Sequence, residues 1–153
     1  TSASTFSPDD SITRADFITL LVRMLKIEGG DLTENTFDDV DPSEYYYTPI
    51  CQAKALGLIS GVGDNRFEPT GFITRQDMMT MTYRALSVLN MADGSGADLA
   101  SYPDVADVAD YAYESISHMV GAEYIKGDEN GCLNPTANTT RAETAVFLYR
   151  MGI

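Results

Sequence analysis

The sequence is poor in the side chains that most enzymes and metalloproteins use. It has one histidine, His118, and two cysteines, Cys51 and Cys132, which stand far apart and form no Cys-x-x-Cys pair. Zinc and thioredoxin-type sites therefore have no support. Without a second histidine or a Gly-x-Ser-x-Gly elbow, His118 is expected to be structural, and enzymatic activity is the least favoured function. We expect the two thiols to be unpaired, with a disulfide between them as the alternative.

Basic residues are also scarce, since 10 Lys and Arg face 23 Asp and Glu and give a net charge of −13. Such an acidic chain repels phosphate backbones and anionic lipid head groups, so nucleic acids and membrane surfaces are disfavoured as partners. No apolar run approaches the ~18–20 residues of a membrane span, which predicts no membrane insertion. Residues 1–5 lack the basic and apolar regions of a signal peptide, which is typical of a mature, soluble fragment.

The composition that remains is that of a globular protein. The chain has 153 residues, of which 44% are apolar and 22% charged. This length favours one compact unit or a short array of smaller units, and the apolar content is too high for intrinsic disorder.

A short motif occurs three times along the chain. Residues 12–16, Ile-Thr-Arg-Ala-Asp, recur as Ile-Thr-Arg-Gln-Asp at 73–77 and as Thr-Thr-Arg-Ala-Glu at 139–143. An upstream Phe/Leu-x-Pro turn and a downstream arginine recur in the same register as the motif. The turns are at 6–8, 67–69 and 133–135, and the downstream arginines are Arg23, Arg84 and Arg150. Three markers in one register indicate a true internal repeat.

A second block precedes only the later two copies. It begins at Phe-Asp-Asp-Val in 37–40 and at Tyr-Pro-Asp-Val in 102–105. We therefore predict the second half of a first repeat at 1–28, a full second repeat at 37–90 and a full third repeat at 102–153. The first copy lacks its leading helix, and glycine-containing linkers separate the copies.

The recurring motif predicts the start of a helix. Thr-x-x-Asp/Glu before an apolar-periodic run is typical of a capping box, so Thr13, Thr74 and Thr140 are predicted N-caps. The methionines behind them are interpreted as core residues rather than cofactor ligands, and no cofactor is predicted. The preceding block predicts further helices over about 43–56 and 107–120. Each full repeat is then a helix, a loop and a helix, and the copies must share one all-α core.

The arginine of the motif occupies the first helical position, although a helix N-terminus prefers an anion nearby. One interpretation is that the guanidinium and exposed backbone N–H groups together bind a carboxylate or phosphate. The other is that the arginine pairs with an acidic neighbour and braces adjacent repeats. The residues alone favour neither.

The order and spacing of these blocks resemble the S-layer homology repeat. The resemblance implies an all-α, non-catalytic module of three helix-loop-helix repeats, packed in a pseudo-threefold helical bundle, that anchors proteins to the bacterial cell wall outside the cell. It implies a ligand that is a secondary cell-wall polysaccharide, often with terminal pyruvylated N-acetylmannosamine, or a modified peptidoglycan, held in grooves between repeats. An upstream cargo domain is expected, and the missing half repeat makes self-association a further expectation.

The resemblance also assigns candidate ligand-binding residues. These are the motif arginines Arg14, Arg75 and Arg141 with the threonines Thr13, Thr74 and Thr140; the family's tryptophan position at Tyr45 and Tyr111; its loop glycine at Gly61 and Gly127; and its early aspartate at Asp39 and Asp104. The chain departs from the family because it has no tryptophan, because Glu123 stands where Gly57 stands in the second repeat, and because Thr139 replaces an isoleucine. Tyr45 and Tyr111 are equally interpreted as core residues.

Two alternatives to glycan binding stay open. The repeats would serve structure or protein–protein contact if the arginines were locked in ion pairs between repeats. Residues 128–131 and 64–65 faintly resemble a calcium loop, although they lack its ordered ligand series and are better interpreted as simple turns. For glycan binding, the acidic residues should lie on outer faces and linkers, so that the motif arginines are local positive points.

Overall fold

A computed structural model describes residues 7–34 and 36–153, so Phe6 of the first predicted turn lies outside the described residues. Five α-helices follow one another: α1 (Arg14–Met24), α2 (Tyr47–Ala55), α3 (Arg75–Val88), α4 (Asp110–Gly121) and α5 (Arg141–Arg150), with a short 3-10 turn at Val105–Asp107 before α4. The described ranges contain no β-strand, only isolated bridges. The predicted all-α fold is confirmed.

The three predicted N-caps are confirmed. The hydroxyls of Thr13, Thr74 and Thr140 each accept from the backbone N–H three residues later, at 3.1, 3.3 and 3.1 Å. A reciprocal capping box forms only at Thr140, where the Glu143 carboxylate accepts from the Thr140 N–H at 2.9 Å. The prediction of reciprocal boxes is wrong for the first two copies, because their aspartates bind groups on other repeats.

The first helices of the repeats begin later than predicted. In α2, Pro49 has no N–H to donate, so it is tolerated in the first turn but not in the interior of a helix starting near residue 43. Before α4, residues 105–107 form the 3-10 turn and Ala109 is extended. The Ala109 N–H donates to Oε1 of Gln76 at 3.0 Å, which fixes the start of α4 to α3.

A ring of three backbone hydrogen bonds closes the molecule around its centre. The N–H of Ile12 donates to the carbonyl of Thr139 at 3.0 Å, Thr139 donates to Ile73 at 3.2 Å, and Ile73 donates to Ile12 at 3.1 Å. All three side chains are buried, including the threonine that replaces an isoleucine. Because each repeat supplies one donor and one acceptor, the ring has the predicted pseudo-threefold arrangement.

Helices pair across repeat boundaries. The second helix of the first repeat, α1, packs against α2 of the second repeat, and α3 packs in the same way against α4 of the third. Fully buried side chains such as Phe17, Ile50, Met79 and Ile116 fill these contacts. Neighbouring repeats are thereby interlocked rather than stacked as separate hairpins.

The last helix, α5, has no such partner among the described helices. Its residues Ala145, Val146 and Tyr149 are exposed, with Tyr149 84% exposed. The equivalent positions of α1 and α3 are covered by α2 and α4, as Ile18 and Met79 at 0% exposure demonstrate. An apolar face of α5 is therefore open where the other two repeats are closed.

Both cysteines are free, as expected: Cys51 is buried, which raises the pKa of its thiol, and Cys132 is partly exposed. No helix in the described part of the chain is long and apolar enough to cross a membrane.

Candidate ligand grooves between the repeats

One groove, which we call groove A, lies where residues of all three repeats meet and has a volume of about 410 Å³. The first repeat contributes Arg14, the second contributes the loop 59–62 and the helix α3, and the third contributes Tyr111. On α3, the residues that line the groove include Asp77 and Arg84. Groove A thus brings together predicted site residues from three separate stretches of sequence.

One carboxylate organises the wall of groove A. Nη1 of Arg14 lies 2.7 Å from Oδ2 of Asp77, and the hydroxyl of Tyr111 donates to Oδ1 of Asp77 at 2.6 Å. Nε of Arg14 donates to the carbonyl of Phe67 at 2.8 Å, with the guanidinium 4.9 Å from the centre of the Phe67 ring. Burial, followed by the bond to Asp77, raises the pKa of Tyr111 to about 12, so it is a neutral hydrogen-bond donor at ordinary pH.

The tyrosines at the family's tryptophan position are not core residues. Tyr111 is 55% exposed and Tyr45 is 58% exposed, whereas the neighbouring Tyr46 is buried at 9%. The interpretation of Tyr45 and Tyr111 as core residues is therefore wrong. Their rings stay accessible while their hydroxyls are tied to the aspartates at the starts of α1 and α3.

Gly61 allows the loop of groove A to approach its neighbours. Its φ is +80°, and a Cβ there would lie 2.4 Å from the carbonyl oxygen of Arg66 and 2.7 Å from Cε1 of Phe37. Gly127 is the equivalent residue in the third repeat. Glycine is required there by the close approach of the backbone and not by a positive φ, because a Cβ would lie 2.8 Å from the carbonyl carbon of Gly131.

A second groove, groove B, repeats the arrangement one third of a turn around the molecule. It has a volume of about 270 Å³ and is lined by Arg75, Lys126, Glu143 and Arg150, among others. Nε of Arg75 donates to the carbonyl of Leu133 at 3.0 Å, as Arg14 does to Phe67. Among the described residues, none occupies in groove B the position that Tyr111 occupies in groove A. By analogy with α4, that position would lie on a helix that covers α5.

At the third junction, between α5 and α1, Arg141 is the equivalent residue. Its Nη2 lies 3.4 Å from Oδ2 of Asp16, and its side chain is 45% exposed. The hydroxyl of Tyr45 donates to Oδ1 of the same aspartate, and burial followed by that bond raises its pKa to about 12. The described residues include no loop equivalent to 59–62 at this junction. The third junction therefore has a tyrosine but no loop, whereas groove B has a loop but no tyrosine.

The backbone N–H groups at the helix starts are not free to bind an anion. The N–H of Arg14 donates to Gly71, that of Arg75 to Ala137 and that of Arg141 to Asp10, at 2.8 to 2.9 Å, and the next N–H of each helix donates to a proline carbonyl. The N–H of the third residue in each helix donates to the hydroxyl of the N-cap threonine. The interpretation that exposed N–H groups assist the arginine is therefore wrong, and only side chains remain for a ligand.

Two other predicted residues bind within the protein. The Asp39 carboxylate accepts from the N–H groups of Phe67 and Glu68 at 2.8 and 2.7 Å, and the Asp104 carboxylate accepts from Leu133 and Asn134 at 2.9 and 2.7 Å. Both hold the Phe/Leu-x-Pro turn that supplies a carbonyl to the motif arginine. In the structure, Asp39 and Asp104 therefore position the walls of grooves A and B through these turns.

The suspected calcium loop is a turn. The Asp128 carboxylate accepts from the N–H groups of Asn130 and Cys132 and from Nδ2 of Asn134, and these bonds, with that of Asn134 first, lower the pKa of Asp128.

Both grooves carry a net positive charge, but the prediction that the three motif arginines supply it holds only in part. Arg14 and Arg141 are ion-paired across repeats with Asp77 and Asp16, as the competing interpretation expected. Exposed acidic residues lie on outer loops and helix starts, including Asp38, Asp41, Asp93, Asp98, Asp107 and Asp110. Groove A contains two arginines and one aspartate, and groove B contains three basic residues and one glutamate. Asp39 differs from the expectation because it is partly buried in its turn.

Arg84 and Arg150 were not among the predicted site residues, although both are downstream markers of the repeat. Both line grooves, and each lies on the same helix as a motif arginine, near its other end. Their constant spacing from that arginine was the signal that could have identified them.

The fold and the grooves define an all-helical module of interlocked repeats, with clefts of ligand size where neighbouring repeats meet. The sequence profile described as "S-layer homology domain" matches residues 36–79 and 101–145, more than half of the chain. The chain belongs to the S-layer homology domain family.

Several relatives are similar over nearly the whole chain. It is 30% identical over 145 residues to an endoglucanase of Bacillus sp. (strain KSM-635), which covers 95% of the chain and 15% of the relative. It is 28% identical over 144 residues to an amylopullulanase of Thermoanaerobacterium thermosulfurigenes, covering 94% and 8%. It is 28% identical over 149 residues to a cellulosome-anchoring protein of Acetivibrio thermocellus, covering 95% and 33%. The chain therefore spans at most a third of the length of these relatives.

The S-layer homology domain is a non-catalytic anchoring module, and the two enzymes match only through a region of 8–15% of their length. Family relatives include cell-surface and S-layer proteins. The chain is thus a module of the bacterial cell surface, and its membership supports a role in anchoring to the cell wall.

Proposed function

We propose that the chain anchors its parent protein by binding an anionic cell-wall polysaccharide in groove A, and in groove B more weakly. The observation that carries this proposal is the composition of groove A, a cleft of about 410 Å³ with an exposed tyrosine ring, a glycine loop and a net positive charge in an otherwise acidic protein. Clefts of this size accommodate small ligands, and aromatic rings pack on the apolar faces of sugars.

The proposed ligand is a polymer carrying carboxylates, such as a pyruvylated wall polysaccharide; modified peptidoglycan is the alternative polymer. Arg14, Tyr111, Gly61 and Asp77 form the wall of the site in groove A, and Arg75 and Gly127 belong to groove B or its loop. Two grooves on one molecule would gain from avidity along a repeating polymer, which multiplies modest single-site affinities.

The test is a pull-down on wall polysaccharide purified from the source bacterium, before and after mild-acid removal of pyruvate. Tyr111→Ala is expected to weaken binding about tenfold, because a stacking surface worth about 1–1.5 kcal/mol is lost. Tyr113→Ala is the matched control, since Tyr113 is also exposed on α4 and lies outside the groove lining. Equal binding by wild type and Tyr111→Ala, or no binding by wild type, would refute the proposal.

We infer a second role, in assembly, from the open face of α5. Because α2 and α4 cover the equivalent faces of α1 and α3, we propose that a helix of the same type, supplied by an upstream segment of the intact protein, covers Val146 and Tyr149. A fragment extended at its N-terminus is expected to protect Tyr149 from nitration. If a second copy covers this face instead, light scattering would detect a concentration-dependent dimer that Tyr149→Asp abolishes. The cargo domain is proposed to lie upstream in the same polypeptide.

A further inference from the structure

The two arginines of groove A stand in different electrostatic environments. The Arg14 side chain is only 7% exposed, and its charge is balanced by Asp77 at 2.7 Å. Its Nε is occupied by the carbonyl of Phe67. Removing either partner of such a buried pair would leave an uncompensated charge, so Arg14 and Asp77 stay paired. Together they contribute no net charge to groove A.

Arg84 is the uncompensated cation of the same groove. It lies on α3, two turns after Asp77, and its side chain is partly exposed. Within residues 7–34 and 36–153, no hydrogen bond or ion pair involves its guanidinium. Since Arg14 and Asp77 cancel, Arg84 supplies the net positive charge of groove A.

The same position is an arginine in every repeat. Arg23, Arg84 and Arg150 keep the register of the repeated motif, and Arg150 lines groove B as Arg84 lines groove A. Core packing does not require a charged residue there, because the neighbouring Ala85 and Leu86 supply the buried surface. In two of the three repeats the arginine at this position lines a cleft, which favours a binding function over a purely structural one.

A guanidinium presents a planar fork of donors that matches a carboxylate and forms two parallel hydrogen bonds with it. Tyr111 is fixed by its bond to Asp77, so its exposed ring is held in place before a saccharide arrives, which lowers the entropy lost on binding. Resting on the proposed function, we propose that Arg84 binds the carboxylate of the saccharide, while Arg14 is a positioning residue that holds Asp77 and hence Tyr111.

The experiment measures, by calorimetry, binding of a short pyruvylated fragment of the wall polysaccharide and of the same fragment after pyruvate removal. All variants carry Arg150→Ala, which removes from groove B the arginine that is equivalent to Arg84. Arg84→Ala is expected to weaken binding of the pyruvylated fragment by about tenfold to a hundredfold, as for other charged hydrogen bonds. Arg84→Ala should leave binding of the depyruvylated fragment unchanged. Removal of the pyruvate and removal of the Arg84 guanidinium abolish the same interaction, so their effects on binding do not add.

Two controls complete the design. Arg84→Lys keeps the charge without the fork and is expected to lie between wild type and Arg84→Ala. Arg66→Ala removes one positive charge from an exposed site outside groove A and is expected to bind like its parent. If Arg84→Ala retains the full preference for the pyruvylated fragment, the assignment is overturned while the proposed function stands. If the parent binds both fragments equally, the carboxylate-binding function itself fails.

Discussion

At the scale of single residues, one methylene group decides how each repeat uses its motif. Asp16 and Asp77 are too short to close a capping box and instead bind groups from other repeats. Glu143 is longer and folds back onto the Thr140 N–H. Arg14 therefore has a carboxylate partner, whereas the structure gives Arg75 none within the described residues. Three nearly identical pentapeptides thus produce three different sites.

A second residue-scale difference predicts a change in stability. Glu123 has a φ of 61° and follows the path that Gly57 follows at 73°, so the third repeat keeps the loop geometry at the cost of backbone strain. Glu123→Gly is expected to raise the free energy of unfolding by about 1 kcal/mol. Gly57→Glu should lower it by a similar amount, since a Cβ there meets no atom within 4 Å and only conformation changes. Urea denaturation of both variants measures this, and a destabilised Glu123→Gly would contradict it.

At the scale of helices, sequence periodicity and capping predicted where the second helix of each repeat begins. They could not predict which helix covers which, because an apolar stripe specifies that a face is buried and not the partner that buries it. The pairing of α1 with α2 and of α3 with α4 joins different repeats, as does the central ring of backbone hydrogen bonds, and no local pattern encodes either. The same limit explains why pairing of the motif arginine across repeats was only one of two interpretations, and why Asp77 could not be named as the partner of Arg14.

The open face of α5 predicts opposite outcomes for mutations on equivalent faces. Ile18→Ala on α1 is expected to cost about 2–5 kcal/mol, because it leaves a cavity beneath α2. Tyr149→Ala on α5 is expected to leave the free energy of unfolding nearly unchanged, because that side chain is mostly exposed and substitutions at such sites have small effects. Thermal and urea unfolding of the isolated chain distinguish the two. A large loss for Tyr149→Ala would mean that α5 is covered in solution.

At the scale of the whole molecule, the fold separates two opposing electrostatic effects. The net charge of −13 produces a repulsive field toward any anionic polymer, while Arg84 and its equivalents act only at contact distance inside the grooves. Long-range fields between exposed charges are screened by salt, whereas partly buried contacts are screened much less. Recognition of an anion by this chain must therefore overcome repulsion before it gains from the groove.

This separation predicts an unusual salt dependence. Raising the ionic strength from about 0.01 M to about 0.15 M shortens the Debye length from about 30 Å to about 8 Å. The association rate with pyruvylated polysaccharide should then rise on the order of two- to tenfold, because electrostatic fields change association rates by at least such factors. The depyruvylated polymer should show no such rise, since it lacks the carboxylates that the protein repels. Surface plasmon resonance over this salt range measures both rates. A steady fall in the association rate with salt would mean that the positive grooves, rather than the acidic exterior, control the approach of the ligand.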